Sequence, residues 1–189
     1  MKFGKNMSKI GYKKIEINEG VKAEISDHNI ILTATDGKFD INLPKSLSIE
    51  IKDNKIFIDR KKDYKKVKSL HGLYRSLIQN AVSGLTKPWE KHLEVSGTGY
   101  SVKLIGEDLE IKVGFSHPVI FKKIDGIKYK VEGNKKIVVF GSDKQKVGEI
   151  ANKIRSIKIP DIYKGKGIKY VGEILRIKPG KKAKTEEAG

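Results

Sequence analysis

Residues 56–85, IFIDRKKDYKKVKSLHGLYRSLIQNAVSGL, change their hydrophobic period part-way along. Ile56-Phe57-Ile58 closes a region of short segments in which apolar and polar side chains alternate, the two-residue period of half-buried strands. Beyond the charged link Arg60–Lys66, the apolar residues Val67, Leu70, Leu73, Tyr74, Leu77, Ile78, Ala81, Val82 and Leu85 recur at three- and four-residue intervals. That spacing collects them on one face of a helix, with Gly84 as its expected end and Pro88 as its stop. One stretch therefore holds the last strand of a sheet and the helix that covers it.

Toward the N-terminus, Val21–Ile25, Asn29–Thr33, Lys38–Leu43, Ile49–Ile51 and Ile56–Ile58 form a predicted antiparallel meander, with hairpin turns expected at Asp36-Gly37 and Asp53-Asn54. Toward the C-terminus the order repeats. Strands are expected at Leu93–Val95, Tyr100–Leu104, Leu109–Val113, Val119–Phe121, Lys128–Val131 and Ile137–Phe140. A helix follows, carrying Val147, Ile150, Ala151, Ile154 and Ile157, opened by a capping box at Ser142–Gln145 and closed by Pro160. Ile49-x-Ile51-x-x-Asn54-Lys55 also recurs as Tyr129-x-Val131-x-x-Asn134-Lys135. The expected fold is α+β, with two tandem, duplicated domains (1–87 and 88–189). Each is an antiparallel or mixed sheet covered by one main helix, and the second ends in a basic extension.

The chain has 189 residues, no cysteine and a formal net charge of +17. Without cysteine there are no disulfides, thiolate zinc sites or cysteine nucleophiles. Apolar runs such as Ile30-Ile31-Leu32 are too short to span a bilayer, and residues 1–20 lack the apolar stretch of a secretory signal. A soluble, intracellular protein with no membrane partner is expected. That much positive charge repels itself in a compact domain and is usually carried for a polyanion, with nucleic acid the default candidate.

Patterns of catalysis and cofactor binding are missing. Gly165-Lys-Gly167 is followed by Tyr170, and Gly97-Thr-Gly99 by Val102, where a dinucleotide motif needs its third glycine. The histidines (His28, His71, His92, His117) lack ligand spacing, and Ser69 near His71 is only sequence adjacency. No catalytic residue, metal site or cofactor is expected.

The charge is concentrated. Residues 158–184 carry nine basic side chains against Asp161 and Glu173, and residues 60–75 carry seven against Asp63. Together these patches supply 13 of the 17 net charges. In the first, Lys68, His71, Arg75 and Gln79 line the predicted polar side of the first helix, either a phosphate grip or an ordinary solvated face. The second contains PDIYKGKGIKYVGE, residues 160–173. There glycine permits close backbone approach to phosphate, lysine adds positive charge, and tyrosine stacks on a base or packs. Irregular backbone after Pro160 would leave these groups exposed, or the motif would be a glycine-rich turn into a final strand, Ile174–Ile177.

Several segments together resemble the L-six family of bacterial-type large-subunit ribosomal proteins. They are Met7–Gly11, Glu19-Gly-Val21, Leu70-His-Gly72, Gly97-x-Gly-Tyr100, Gly114–Pro118, Asp143-Lys-Gln-x-Val-Gly148 and, most diagnostic, Tyr163-Lys-Gly-Lys-Gly-Ile168. The resemblance implies two duplicated α+β domains. It also implies direct binding to large-subunit rRNA near the sarcin-ricin region, with neighbouring large-subunit proteins and translational GTPases close by, in the ribosome of the cytoplasm or an organelle. On this reading Tyr163, Lys164, Gly165, Lys166, Gly167, Lys169 and Tyr170 face RNA, joined by the tail residues Lys178, Lys181, Lys182 and Lys184. Lys68, His71 and Arg75 form a secondary contact. Ile162 departs from the family's usual proline, and Met1–Asn6 precede the family's usual start at Met7, as an extension or through a misassigned initiation codon. The alternatives are an RNA-binding regulator outside the ribosome and an enzyme acting on RNA with His71 or His117 as base.

Overall fold

A computed structural model describes residues 10–26, 28–35 and 37–180. The chain divides into two units between Trp89 and Glu90, with the short segment Gly141–Lys144 grouped with the first.

The first unit contains strands β1 (Ile15–Glu16), β2 (Lys22–Ser26), β3 (Asn29–Ala34), β4 (Gly37–Asn42), β5 (Leu47–Lys52) and β6 (Lys55–Arg60), then helix α1 (Lys65–Thr86). The expected single meander is two three-stranded antiparallel sheets, ordered β2-β3-β4 and β1-β6-β5. Pro44 separates them: it has no N–H to give a ladder, and its carbonyl instead accepts the N–H of Leu47 in a turn that redirects the chain. Ile30 and Leu32 alternate inward on β3, and Ile56 and Ile58 on β6. With Ile15, Leu47, Ile78, Val82 and Leu85 they build the core, each side chain worth ~1.5–3 kcal/mol when fully removed from water.

Two details of α1 differ from the periodic reading. Gly84 does not end the helix; it lies buried inside it, where a Cβ would come within 2.9 Å of the Trp89 ring. The buried stripe runs through Val67, His71, Ile78, Ala81, Val82 and Leu85, while Leu73 faces outward.

The second unit contains β7 (Trp89–Ser96), β8 (Ser101–Ile105), β9 (Asp108–Lys112), β10 (Val119–Phe121), β11 (Ile127–Glu132), β12 (Lys136–Gly141), helix α2 (Lys144–Ile157) and β13 (Gly167–Tyr170). Its sheets are ordered β8-β9-β10 and β11-β12-β7-β13. Leu93, Val95, Ile137 and Val139 from the four-stranded sheet are buried, as are Val147, Ile150, Ala151 and Ile154 of α2. No helix among the described residues is long and apolar enough to cross a membrane.

The sequence repeat has a conformational counterpart. Asp53 and Asn54, between β5 and β6, have φ of 50° and 59°, and Gly133 and Asn134, between β11 and β12, have φ of 61° and 59°. Left-handed backbone at two successive residues is the tight turn that matches strand twist, and Asn, Asp and Gly adopt it at least cost. In both units that turn leads into the strand that feeds the main helix.

The predicted final strand Ile174–Ile177 does not form. The strand is β13, made by the second half of the glycine-lysine motif itself, with Ile168 fully buried. Ile174 and Ile177 are both exposed, so the segment has no apolar face to bury.

Candidate nucleic-acid interface

Beyond α2 the chain turns at Asp161. Its carboxylate accepts the backbone N–H groups of Tyr163 at 3.3 Å and Lys164 at 3.1 Å. Its carbonyl accepts the Gly165 N–H at 2.9 Å, and its own N–H donates to the Lys166 carbonyl at 2.9 Å. Residues 161–166 are thus a loop closed on one aspartate, with Gly165 supplying the left-handed step at φ 67°. Tyr163 stands out from it 60% exposed, and Lys164 is exposed beside it.

At Gly167 the chain crosses its own path. A Cβ there would lie 2.6 Å from the Pro160 Cα, and φ is 152°, so both the space and the backbone require glycine. The chain then enters β13, which pairs antiparallel with β7 in the register Ile168↔Val95 and Lys169↔Glu94. Outward amides of this edge are already used: the Ile168 N–H donates to the Lys158 carbonyl at 2.8 Å, and the Tyr170 N–H to Glu173 Oε2 at 3.0 Å. An edge closed in this way does not recruit a further strand.

The expectation that the whole motif is irregular and exposed is corrected by this strand. Tyr163 and Lys164 are exposed, Gly165 and Lys166 half-buried, Gly167 buried, and Lys169 and Tyr170 half-buried. Lys169 Nζ lies 3.6 Å from Glu94 Oε2. Lys91 and Arg155 each approach the Tyr170 ring, at 5.7 Å from its centroid. The two tyrosines therefore divide the roles left open in the sequence: Tyr163 offers a free ring, and Tyr170 packs.

Arg155 also binds Glu173, and this hydrogen-bonded pair holds the Glu173 carboxyl below the usual carboxylate range and the guanidinium above its own. The Lys178 N–H donates to the Ile162 carbonyl at 3.0 Å, which ties the exposed start of the basic tail to the loop. Lys181, Lys182 and Lys184 lie outside the described residues.

In the first unit, the secondary patch is partly spent on internal contacts. Arg60 is half-buried and pairs with Asp63 at 2.8 Å, and Lys68 pairs with the same carboxylate at 3.0 Å. Arg75 donates from Nε to the Lys13 carbonyl and from Nη2 to Gln79 Oε1, each at 3.2 Å. His71 is not on the polar face. It is 0% exposed, its Nε2 donates to the Ile58 carbonyl at 2.8 Å, and its ring meets Tyr12 edge-on at 4.9 Å. Burial pushes its pKa down, and the ring faces the core rather than the solvent side of the helix. Its place follows from spacing: positions 67, 71 and 78 share one helical face.

Asp161, Arg155, Glu173 and Lys91 were not singled out from sequence. Asp161 carried a local signal, since an aspartate two residues ahead of a turn residue is a common loop organiser. The other three act across sequence distances that no local pattern encodes.

The family model described as Ribosomal protein L6 matches residues 17–87 and again residues 96–171. The chain belongs to the ribosomal protein L6 family. The first matched segment lies in the first unit and the second, apart from residues 141–144, in the second, as a duplicated fold requires. Relatives are similar along almost their whole length. The large ribosomal subunit protein uL6 of Thermoanaerobacter sp. (strain X514) is 44% identical over 179 residues, which is 94% of this chain and 99% of the relative. The large ribosomal subunit protein uL6c of Guillardia theta is 44% identical over 178 residues, covering 94% and 99%. The Tropheryma whipplei (strain Twist) protein uL6 is 42% identical, covering 94% and 100%. As a family member, the chain carries the glycine-lysine motif on a sheet edge anchored by Arg155 and Glu173.

Proposed function

We propose that this protein is a structural constituent of the large ribosomal subunit, that it acts in translation, and that it binds large-subunit rRNA through the 161–170 loop and the basic tail beginning at Lys178. The observation that carries the reading is the Asp161-closed loop, which presents an exposed tyrosine and lysine just ahead of the edge strand paired with β7. Phosphate contacts from Lys164, Lys166 and the tail fix position and orientation, and the folded shape of the RNA supplies the discrimination. Lys169 and Tyr170 contribute from behind, one paired with Glu94 and the other clamped by cations.

Lys68 and Arg75 form the secondary contact; His71 is withdrawn from it. The L6 family membership supports placing the rRNA site near the sarcin-ricin region, with translational GTPases and other large-subunit proteins as neighbours. The relatives bear the name of a large-subunit protein and, in one case, a name carrying the suffix c, in agreement with a ribosomal location.

Sedimentation of a cell lysate through sucrose after a high-salt wash tests the reading. The protein is expected to remain with large subunits. Recovery at the top of the gradient would instead identify a regulator outside the ribosome.

A further inference from the structure

In the first unit, the chain between β6 and the first turn of α1 reads Lys61-Lys-Asp-Tyr-Lys-Lys66, and all six residues are exposed. Its position is fixed by bonds that leave the lysine side chains out. The Lys61 N–H donates to the Ser46 carbonyl at 3.0 Å, and the Lys68 N–H to the Tyr64 carbonyl at 3.0 Å. Asp63, the one acid of the loop, is shared between Arg60 and Lys68, so its charge is already offset. Tyr64 is held between these fixed points with its residue 67% exposed. Among the described residues, the ammonium groups of Lys61, Lys62, Lys65 and Lys66 have no ion pair or hydrogen bond.

The stability of α1 does not explain these lysines. The helix opens without a side-chain cap bond and without an acidic residue in its first turn, and Lys65 and Lys66 add positive charge to the end that is already positive. Local choices that oppose the element they belong to are the mark of a functional constraint. The parts are also those of the loop in the second unit. There Asp161 is engaged by its neighbours just ahead of the exposed Tyr163 and Lys164; here Asp63 is engaged just ahead of the exposed Tyr64 and Lys65.

We propose that residues 61–66 are a second rRNA-binding loop, in which Lys61, Lys62, Lys65 and Lys66 meet phosphates and Tyr64 stacks on an unpaired base. The inference rests on the ribosomal reading above. It extends the contact of the first unit from Lys68 and Arg75, whose side chains already bind within the protein, to the free cations ahead of the helix. Four unpaired lysines in six residues suit a backbone that carries one negative charge per nucleotide. The ring favours RNA over an acidic protein segment. Aromatic anchors of protein interfaces are set in desolvated pockets, whereas Tyr64 stands among lysines with its ring open, as a stacking platform requires.

The test uses the full-length protein carrying a benzophenone amino acid in place of Tyr64, assembled into large subunits and irradiated. A cross-link to rRNA is expected. In parallel, binding of full-length variants to large-subunit rRNA is measured over a range of salt. The variant Lys61→Ala/Lys62→Ala/Lys65→Ala/Lys66→Ala should flatten the slope of log affinity against log salt by roughly 3, four phosphates' worth. Its thermal midpoint should stay equal or rise, because it removes charge that opposes the helix dipole. Tyr64→Ala should weaken binding by about 5- to 150-fold at fixed salt. A cross-link to a ribosomal protein, or none in subunits that contain the protein, overturns the loop as an rRNA contact. An unchanged slope in the lysine variant, where Lys164→Ala still flattens it, does the same and leaves the ribosomal reading standing. Unchanged affinity of Tyr64→Ala overturns the stacking of the ring. Failure of the protein to enter large subunits at all overturns the ribosomal reading, and this loop with it.

Discussion

Arg155 on α2 grips Glu173 with two nitrogens, Nη2 to Oε1 at 2.6 Å and Nε to Oε2 at 3.3 Å, while Oε2 also takes the Tyr170 N–H at 3.0 Å. One carboxylate thus ties the main helix to the end of the strand that follows the loop. Because the partners hold its pKa below the ordinary value, the pair contributes fully above that value. Its contribution is lost as pH falls through the lowered one. Glu173→Gln should lower stability near neutral pH by about 1–2 kcal/mol, the scale of a charge-assisted pair, and should flatten the loss of stability in acid. Urea titrations at pH 7 and pH 4 check both parts.

Gly167→Ala should cost more than a helix or turn glycine would. The added carbon meets the Pro160 backbone at 2.6 Å, and moving β13 away from it would disturb the pairing of β13 with β7. A destabilisation of about 1–3 kcal/mol is expected, visible as a lower thermal midpoint. Gly165→Ala, at a more open position, should cost less. Equal midpoints for the two variants would contradict the crossing.

His71 makes stability depend on pH near neutrality. Its folded pKa is depressed below 6.5, so the unfolded chain takes up a proton that the folded chain resists. Stability should be complete above pH 6.5 and decline as pH falls below it. His71→Gln retains a side-chain N–H donor for the Ile58 carbonyl but cannot titrate. It should be less stable at pH 7.5 yet lose less between pH 7.5 and 5.5, as read from denaturant midpoints.

The parts of this fold that are local in sequence were legible: the change of period after Ile58, the turn residues Asp53-Asn54, and the repeat of that hairpin at Gly133-Asn134. What escaped was decided by contacts between distant segments. The polar letter at position 71 hid a core residue, because the Ile58 carbonyl that accepts its Nε2–H lies on β6. Gly84 looked like a helix end but serves close packing on Trp89. Within the site, the residue types of the loop were readable, but its exposure was not. Whether Lys169 and Tyr170 point at solvent depends on Glu94, Lys91 and Arg155. That placement exists only once β13 has paired with β7.

The two tyrosines of the loop should separate in one experiment. Tyr163 is exposed on a loop whose hydrogen bonds run through backbone and Asp161, so Tyr163→Ala should leave the thermal midpoint unchanged. If its ring stacks on a base, the same variant should weaken binding to large-subunit rRNA by about 1–3 kcal/mol. Tyr170→Ala should do the reverse, lowering the midpoint first, because its ring fills the space between Lys91 and Arg155. Salt dependence separates the lysines in the same way. Lys164→Ala should flatten the slope of log affinity against log salt by roughly 0.7–0.9, one phosphate's worth. Lys169→Ala should flatten it by less, since Glu94 already offsets part of that charge. Tyr163→Ala binding with unchanged affinity, together with an unchanged slope for Lys164→Ala, would remove the loop from the rRNA contact and leave the tail as the anchor.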